Sequence, residues 1–132
     1  MMKTINGLNP LFLIRVAIAT IFLSHSLHGV INHTVNDFGE FYLNKVGFAP
    51  FGVYVAWALM AFEIIGSILI LFGKFLKYVV PVFVIILLIG IVLVHYPDGW
   101  YVVGPGRNGM EFSFVLIICL IAICIPVKGR RR

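Results

Sequence analysis

The chain has 132 residues, 61% of them hydrophobic and 11% charged, and a mean hydropathy of +1.08. A soluble domain is about 45–50% apolar and about 25% charged, so a disordered tail, a secreted disulfide scaffold and a typical soluble enzyme are excluded. The net charge of +5 rests on ten Lys and Arg. These sit at the ends of apolar runs rather than in a stripe, which argues against a nucleic-acid partner. The class that remains is a single integral membrane domain, residues 1–132, with the lipid bilayer as its solvent.

A membrane-spanning helix needs about 20 mostly apolar residues. The hydropathy predicts spans near 11–31, 51–72, 77–95 and 110–127, an all-α antiparallel four-helix bundle. Asn9-Pro10 opens the first span, with Pro at a tolerated N-terminal position. Arg15 interrupts any signal-peptide core, so an uncleaved first span is expected. Between spans one and two, Phe38, Phe41, Tyr42 and Val46 recur near helical spacing among Asp37, Glu40, Asn44 and Lys45. That pattern predicts a short amphipathic helix near 34–48 on the outer interface; an aromatic-rich loop at headgroup level is the plainer reading. Ala49-Pro50 opens span two. Gly73 with Lys74 and Lys77 makes the turn into span three, Pro81 falls in its first turns, and Tyr96-Pro97-Asp98-Gly99 ends it.

Orientation follows from the Lys and Arg distribution. Lys3, Lys74, Lys77, Lys128, Arg130, Arg131 and Arg132 fall on one side, and only Lys45 and Arg107 fall on the other. Both termini are therefore expected in the cytoplasm. The basic tail Lys128–Arg132 reads as a topology signal, or as a site for anionic lipid. Cys119 and Cys124 are five residues apart, about 140° around a helix and about 7.5 Å along it. That spacing cannot close a disulfide, and no zinc spacing accompanies it.

Ionisable groups inside a bilayer need a partner or an aqueous path. Arg15 lies about 7 Å above the inner end of span one and Glu63 about 13 Å above the inner end of span two. A long Arg side chain can bridge that difference, so the two are expected to pair. Glu63 shares a face with Ala56, Leu59, Met60, Gly66 and Ser67, and small residues of this kind let helices approach. The pair reads either as a buried ion pair fixing register or as a proton-active site. Arg15 alone would snorkel to the inner interface.

A second group lies at the outer ends. His25 and His28 near the end of span one, His95 at the end of span three and Glu111 at the start of span four are brought to one depth by antiparallel topology. They suit a divalent metal, a haem held between His25 and His95, or proton movement for a quinone. The plain alternative is a set of wet interfacial histidines, with Glu111 favoured by the helix dipole. His33 reads as a solvated loop residue. Gly104-Pro105-Gly106-Arg107-Asn108-Gly109 resembles an anion loop before a helix but lacks the strand and Lys-Ser/Thr of a nucleotide site; a flexible turn is the simpler reading.

The run Arg15-Val16-Ala17-Ile18-Ala19-Thr20-Ile21-Phe22-Leu23-Ser24-His25 resembles the first span of the DoxX family. Glu63-Ile64-Ile65-Gly66, continuing to Leu69-Ile70-Leu71-Phe72-Gly73, resembles its second span. His95-Tyr96-Pro97-Asp98-Gly99-Trp100 is similar to its third-span exit, and Gly109-Met110-Glu111 to the start of its fourth. Ser26 follows His25 where the family often has Gly, and Gly29 stands where it often has Lys. His28-Gly29 offers a second match.

The resemblance implies a small four-span protein of the bacterial inner (plasma) membrane. Some such proteins are similar to subunits of thiosulfate:quinone oxidoreductase, and others associate with soluble redox enzymes. The reading is a redox-associated subunit that binds a quinone or other apolar partner and docks a soluble oxidoreductase, an accessory rather than an enzyme alone, within a homo- or hetero-oligomer. A non-catalytic scaffold or small-molecule binding and transport protein is the alternative. Fold analogy does not choose between them.

Overall fold

Asn9 caps the first helix, its side-chain oxygen accepting the Leu11 N–H at 3.2 Å. Pro10, which has no N–H to lose, takes the first helical position. From here the computed structural model describes residues 9–104 and 107–126. Lys3 and the basic tail Lys128–Arg132, which carry most of the orientation expectation, lie outside the described residues, as do Pro105 and Gly106 of the glycine-rich turn.

The described residues are helical and contain no strand. Helix α1 spans Pro10–Ile31. Helix α2 begins as Val35–Asp37 and continues as a wider, π-type stretch over Phe38–Phe48. Helix α3 spans Gly52–Phe72. Helix α4 spans Leu76–Gly90, widens to π-type over Ile91–His95 and ends in a 3-10 turn, Tyr96–Asp98. Helix α5 spans Glu111–Ala122.

Three of these helices, Pro10–Ile31, Gly52–Phe72 and Leu76–Asp98, are long and apolar enough to cross a membrane, so the protein is a membrane protein with its spans close to the expected bounds. The fourth differs. Helix α5 has 12 residues rather than the 18 expected, about 18 Å of helix against a hydrocarbon core of about 30 Å. Residues 123–125 turn away and Pro126 follows. Proline has no N–H for the helical ladder and disfavours helix in the residue before it.

The chain divides into two compact units, with α1 shared between them. In the unit Ala19–Lys74, α1 and α3 run antiparallel. As α1 advances from Ser26 to Gly29, its neighbours on α3 step back from Glu63 to Met60. Helix α1 ends on Asn32, whose amide reaches the His28 carbonyl at 2.8 Å, and on His33 with a left-handed φ of 57°.

The helix expected near 34–48 is present, and Phe38 and Phe41 lie off the face that it buries. Val35, Gly39 and Leu43 are buried, four residues apart, while Phe38 is exposed and Phe41 is 61% exposed. Val35 and Leu43 form a core with Ala56 and Met60 of α3. The reason is Gly39. A Cβ there would collide with the backbone of Val53, and one on Gly52 would collide with the Gly39 carbonyl. Two facing glycines let the backbones touch, and that contact sets the rotation of α2. Asn44 Oδ1 accepts the Gly52 N–H at 2.9 Å and Asn36 Oδ1 accepts the Trp57 indole N–H at 2.8 Å. Helix α3 closes on Gly73, left-handed at φ 68°, with Lys74 N–H bonded to Leu69 O at 2.9 Å.

In the other unit, α4 and α5 are antiparallel. Val80 and Ile85 near the start of α4 lie beside Ile121 near the end of α5. At the opposite ends, Gly99 and Trp100 carbonyls accept the Met110 and Glu111 N–H groups at 3.0 Å each. Trp100 also packs on Phe114, with ring centroids 5.4 Å apart.

Candidate functional site

Glu63 sits at the twelfth position of α3, about 16 Å from its first residue, at mid-span depth. It is 5% exposed. The expected face is buried: Ala56, Met60, Gly66 and Ser67 with it, Leu59 partly; Ile70, further along α3, is buried too. Ser26 of α1, fully buried, donates its hydroxyl to Glu63 Oε2 at 2.5 Å. His25, its neighbour in sequence and exposed, is close enough for its charge to act on the same carboxylate. Ser67, one helical turn beyond Glu63 and also fully buried, has a hydroxyl with no hydrogen-bond partner among the described residues.

Such an arrangement has a definite chemical content. A carboxylate has about four acceptor positions, and Ser26 uses one. Ser67 adds an unused donor on the same helix face, since residues four apart stack. The other buried residues of this α3 face, Ala56, Met60, Gly66 and Ile70, carry no polar side-chain group. A ligand with a polar end and an apolar body meets both requirements.

Arg15 belongs to the other unit, with α4 and α5. Its Nε is buried and has no hydrogen-bond partner among the described residues, and its guanidinium carbon lies 5.9 Å from the centroid of the Phe12 ring.

The outer group is divided in its local bonding. His28 is exposed and its Nδ1 accepts from the Asn32 amide at 2.9 Å. His95 Nδ1–H donates to the Asn108 carbonyl at 2.7 Å. Glu111 Oε1 accepts the Val102 N–H at 2.9 Å. His95 and Glu111 thus clasp the loop between α4 and α5 from its two ends. Gly109 is needed there, because a Cβ would meet the carbonyls of Trp100 and Tyr101. Among the described residues no three His, Cys, Asp or Glu side chains come together as a metal-binding group. His33 is exposed in its turn. Cys119 and Cys124 are free thiols.

Ser26 is the functional candidate that sequence reasoning misses. Its only signal is a hydroxyl inside an apolar run, one residue from a histidine. Ser67 is visible as part of the small-residue face, but its unpaired state is not.

The DoxX family model matches residues 10–96. That stretch holds Arg15, His25, Ser26, Glu63, Ser67 and His95 but not α5. No curated protein and no solved structure matches the chain.

Proposed function

The chain belongs to the DoxX family, and on that footing we propose that it is a redox-associated membrane subunit holding a quinone, or a similar apolar partner, at Glu63. In this reading it docks a soluble oxidoreductase, with both termini on the cytoplasmic side of a bacterial inner membrane. The observation that carries the reading is the buried hydroxyl of Ser67, unpaired beside a buried carboxylate. Leaving a buried donor unsatisfied costs about 1–3 kcal/mol, and a purely architectural contact has no use for that cost. A quinone supplies a two-electron, two-proton acceptor with oxygens at its ring edge. Ser67 has the hydroxyl to donate to one such oxygen, and Glu63 can accept from its protonated form. Ile70, three residues beyond Ser67 on the same buried face, gives the ring an apolar neighbour. His25, in charge range of Glu63, is the group to which the carboxylate would pass its proton. Of the outer histidines and Glu111, this site draws on His25 alone.

The test is gentle solubilisation followed by quantification of extracted quinone. Wild-type protein should retain it, and Ser67→Ala should retain roughly tenfold less, the equivalent of one hydrogen bond of about 1.4 kcal/mol, with unchanged thermal unfolding. Wild-type protein that neither retains nor rebinds quinone ends this reading.

A scaffold role is the second reading, favoured by the bond from Ser26 of α1 to Glu63 of α3. Here that bond fixes the register of the two helices. Glu63→Gln would then lower stability while a co-purifying partner is kept, and Ser26→Ala would add little to it in the double variant. Additive losses would remove the architectural role of the bond.

A further inference from the structure

The groove between α4 and α5 is used by none of the above. It lies where α4 begins and α5 ends, is open to the surface with a volume of about 490 Å³, and is lined by Val80, Val84, Ile85 and Ile121 with Lys77 and Cys124 at its margins. That volume falls within the roughly 300–1,000 Å³ of small-molecule sites. Its walls are apolar apart from Lys77.

The charge at its margin bears on its occupant. Lys77 is in the first turn of α4, at an end of the span, with its ammonium 4.6 Å from the centroid of the Tyr78 ring. An apolar slot with a cation at its margin suits an anionic amphiphile. We propose that this groove holds an acyl chain of an anionic phospholipid of the phosphatidylglycerol type, with Lys77 meeting the phosphate.

Native mass spectrometry of the full chain in dodecyl maltoside micelles with equimolar dioleoylphosphatidylglycerol and dioleoylphosphatidylcholine tests this. A lysine at the membrane surface contributes about 1 kcal/mol toward anionic lipid, so wild-type protein should retain the glycerol lipid about fivefold over the choline lipid. Lys77→Gln should bring the ratio to parity, and Lys77→Arg should keep it. Ile85→Trp fills the groove from a position that is 55% exposed, and it should abolish the preference with helix content unchanged by circular dichroism. Equal retention by the wild type overturns the proposal. So does a preference that survives both Lys77→Gln and Ile85→Trp. Oleate retained as well as the phospholipid would also overturn it.

Discussion

The α1–α3 pair and the α4–α5 pair both hold an acid, a histidine and a neighbouring polar group, yet they use them in opposite ways. At Glu63 the carboxylate is buried, its partner is a side chain from another helix, and one more hydroxyl has no bond among the described residues. At Glu111 the carboxylate is less buried and its bond goes to the backbone of a loop, as does that of His95. The first arrangement holds unspent bonding capacity inside the membrane. The second spends its capacity on holding a loop. Residue type therefore says little about role here. The partner decides it, and a buried polar group with capacity left over is the one worth testing for a ligand.

The comparison can be broken most strongly through the backbone contact that shapes the α1–α3 side. Gly39→Ala drives a methyl into Val53 and should cost about 1–3 kcal/mol, read as a lower unfolding midpoint in detergent. Gly90→Ala on α4 is the matched control. It has ordinary helical φ of −59° and open space around it, so it should be neutral or stabilise by about 0.5–1 kcal/mol. Equal losses from both would show that the glycine contact does not set the position of α2. Next in size is Ser26→Ala. Interhelical hydrogen bonds in membranes average about 0.6 kcal/mol and reach about 1.7, and this one should lie toward the upper end because it leaves a buried carboxylate short of a donor. The smallest effect belongs to His95→Ala and Glu111→Ala. Each removes one exposed bond, so the unfolding midpoint should move by no more than about 0.5 kcal/mol. Amide exchange at Val102 and through residues 99–104 should nevertheless rise. A global loss as large as that of Ser26→Ala would mean that the loop clasp supports the whole unit.

Much of this was legible in the chain itself. Asn9-Pro10, Gly73 and Tyr96-Pro97-Asp98-Gly99 mark helix ends, and the ends fall at or beside them. The face around Glu63 is buried as its small residues indicate. The 34–48 helix was legible from its aromatic spacing, but the face it packs on α3 was not, because Gly39 carries no hydropathy signal and still makes the closest contact.

What the sequence alone determined is local: which stretches are apolar enough to leave water, where the backbone stops being helical, and the rarity of ionisable groups within the spans. Each depends on residues within a few positions of one another. Only the tertiary structure decided that Glu63 meets Ser26, that the Ser67 hydroxyl finds no hydrogen-bond partner among the described residues, and that Gly39 rather than Phe41 faces α3. Such pairings depend on the rotation and register of helices whose residues are tens of positions apart. Backbone-to-backbone contact at two glycines fixes the rotation of α2 on α3, and no single side chain encodes it.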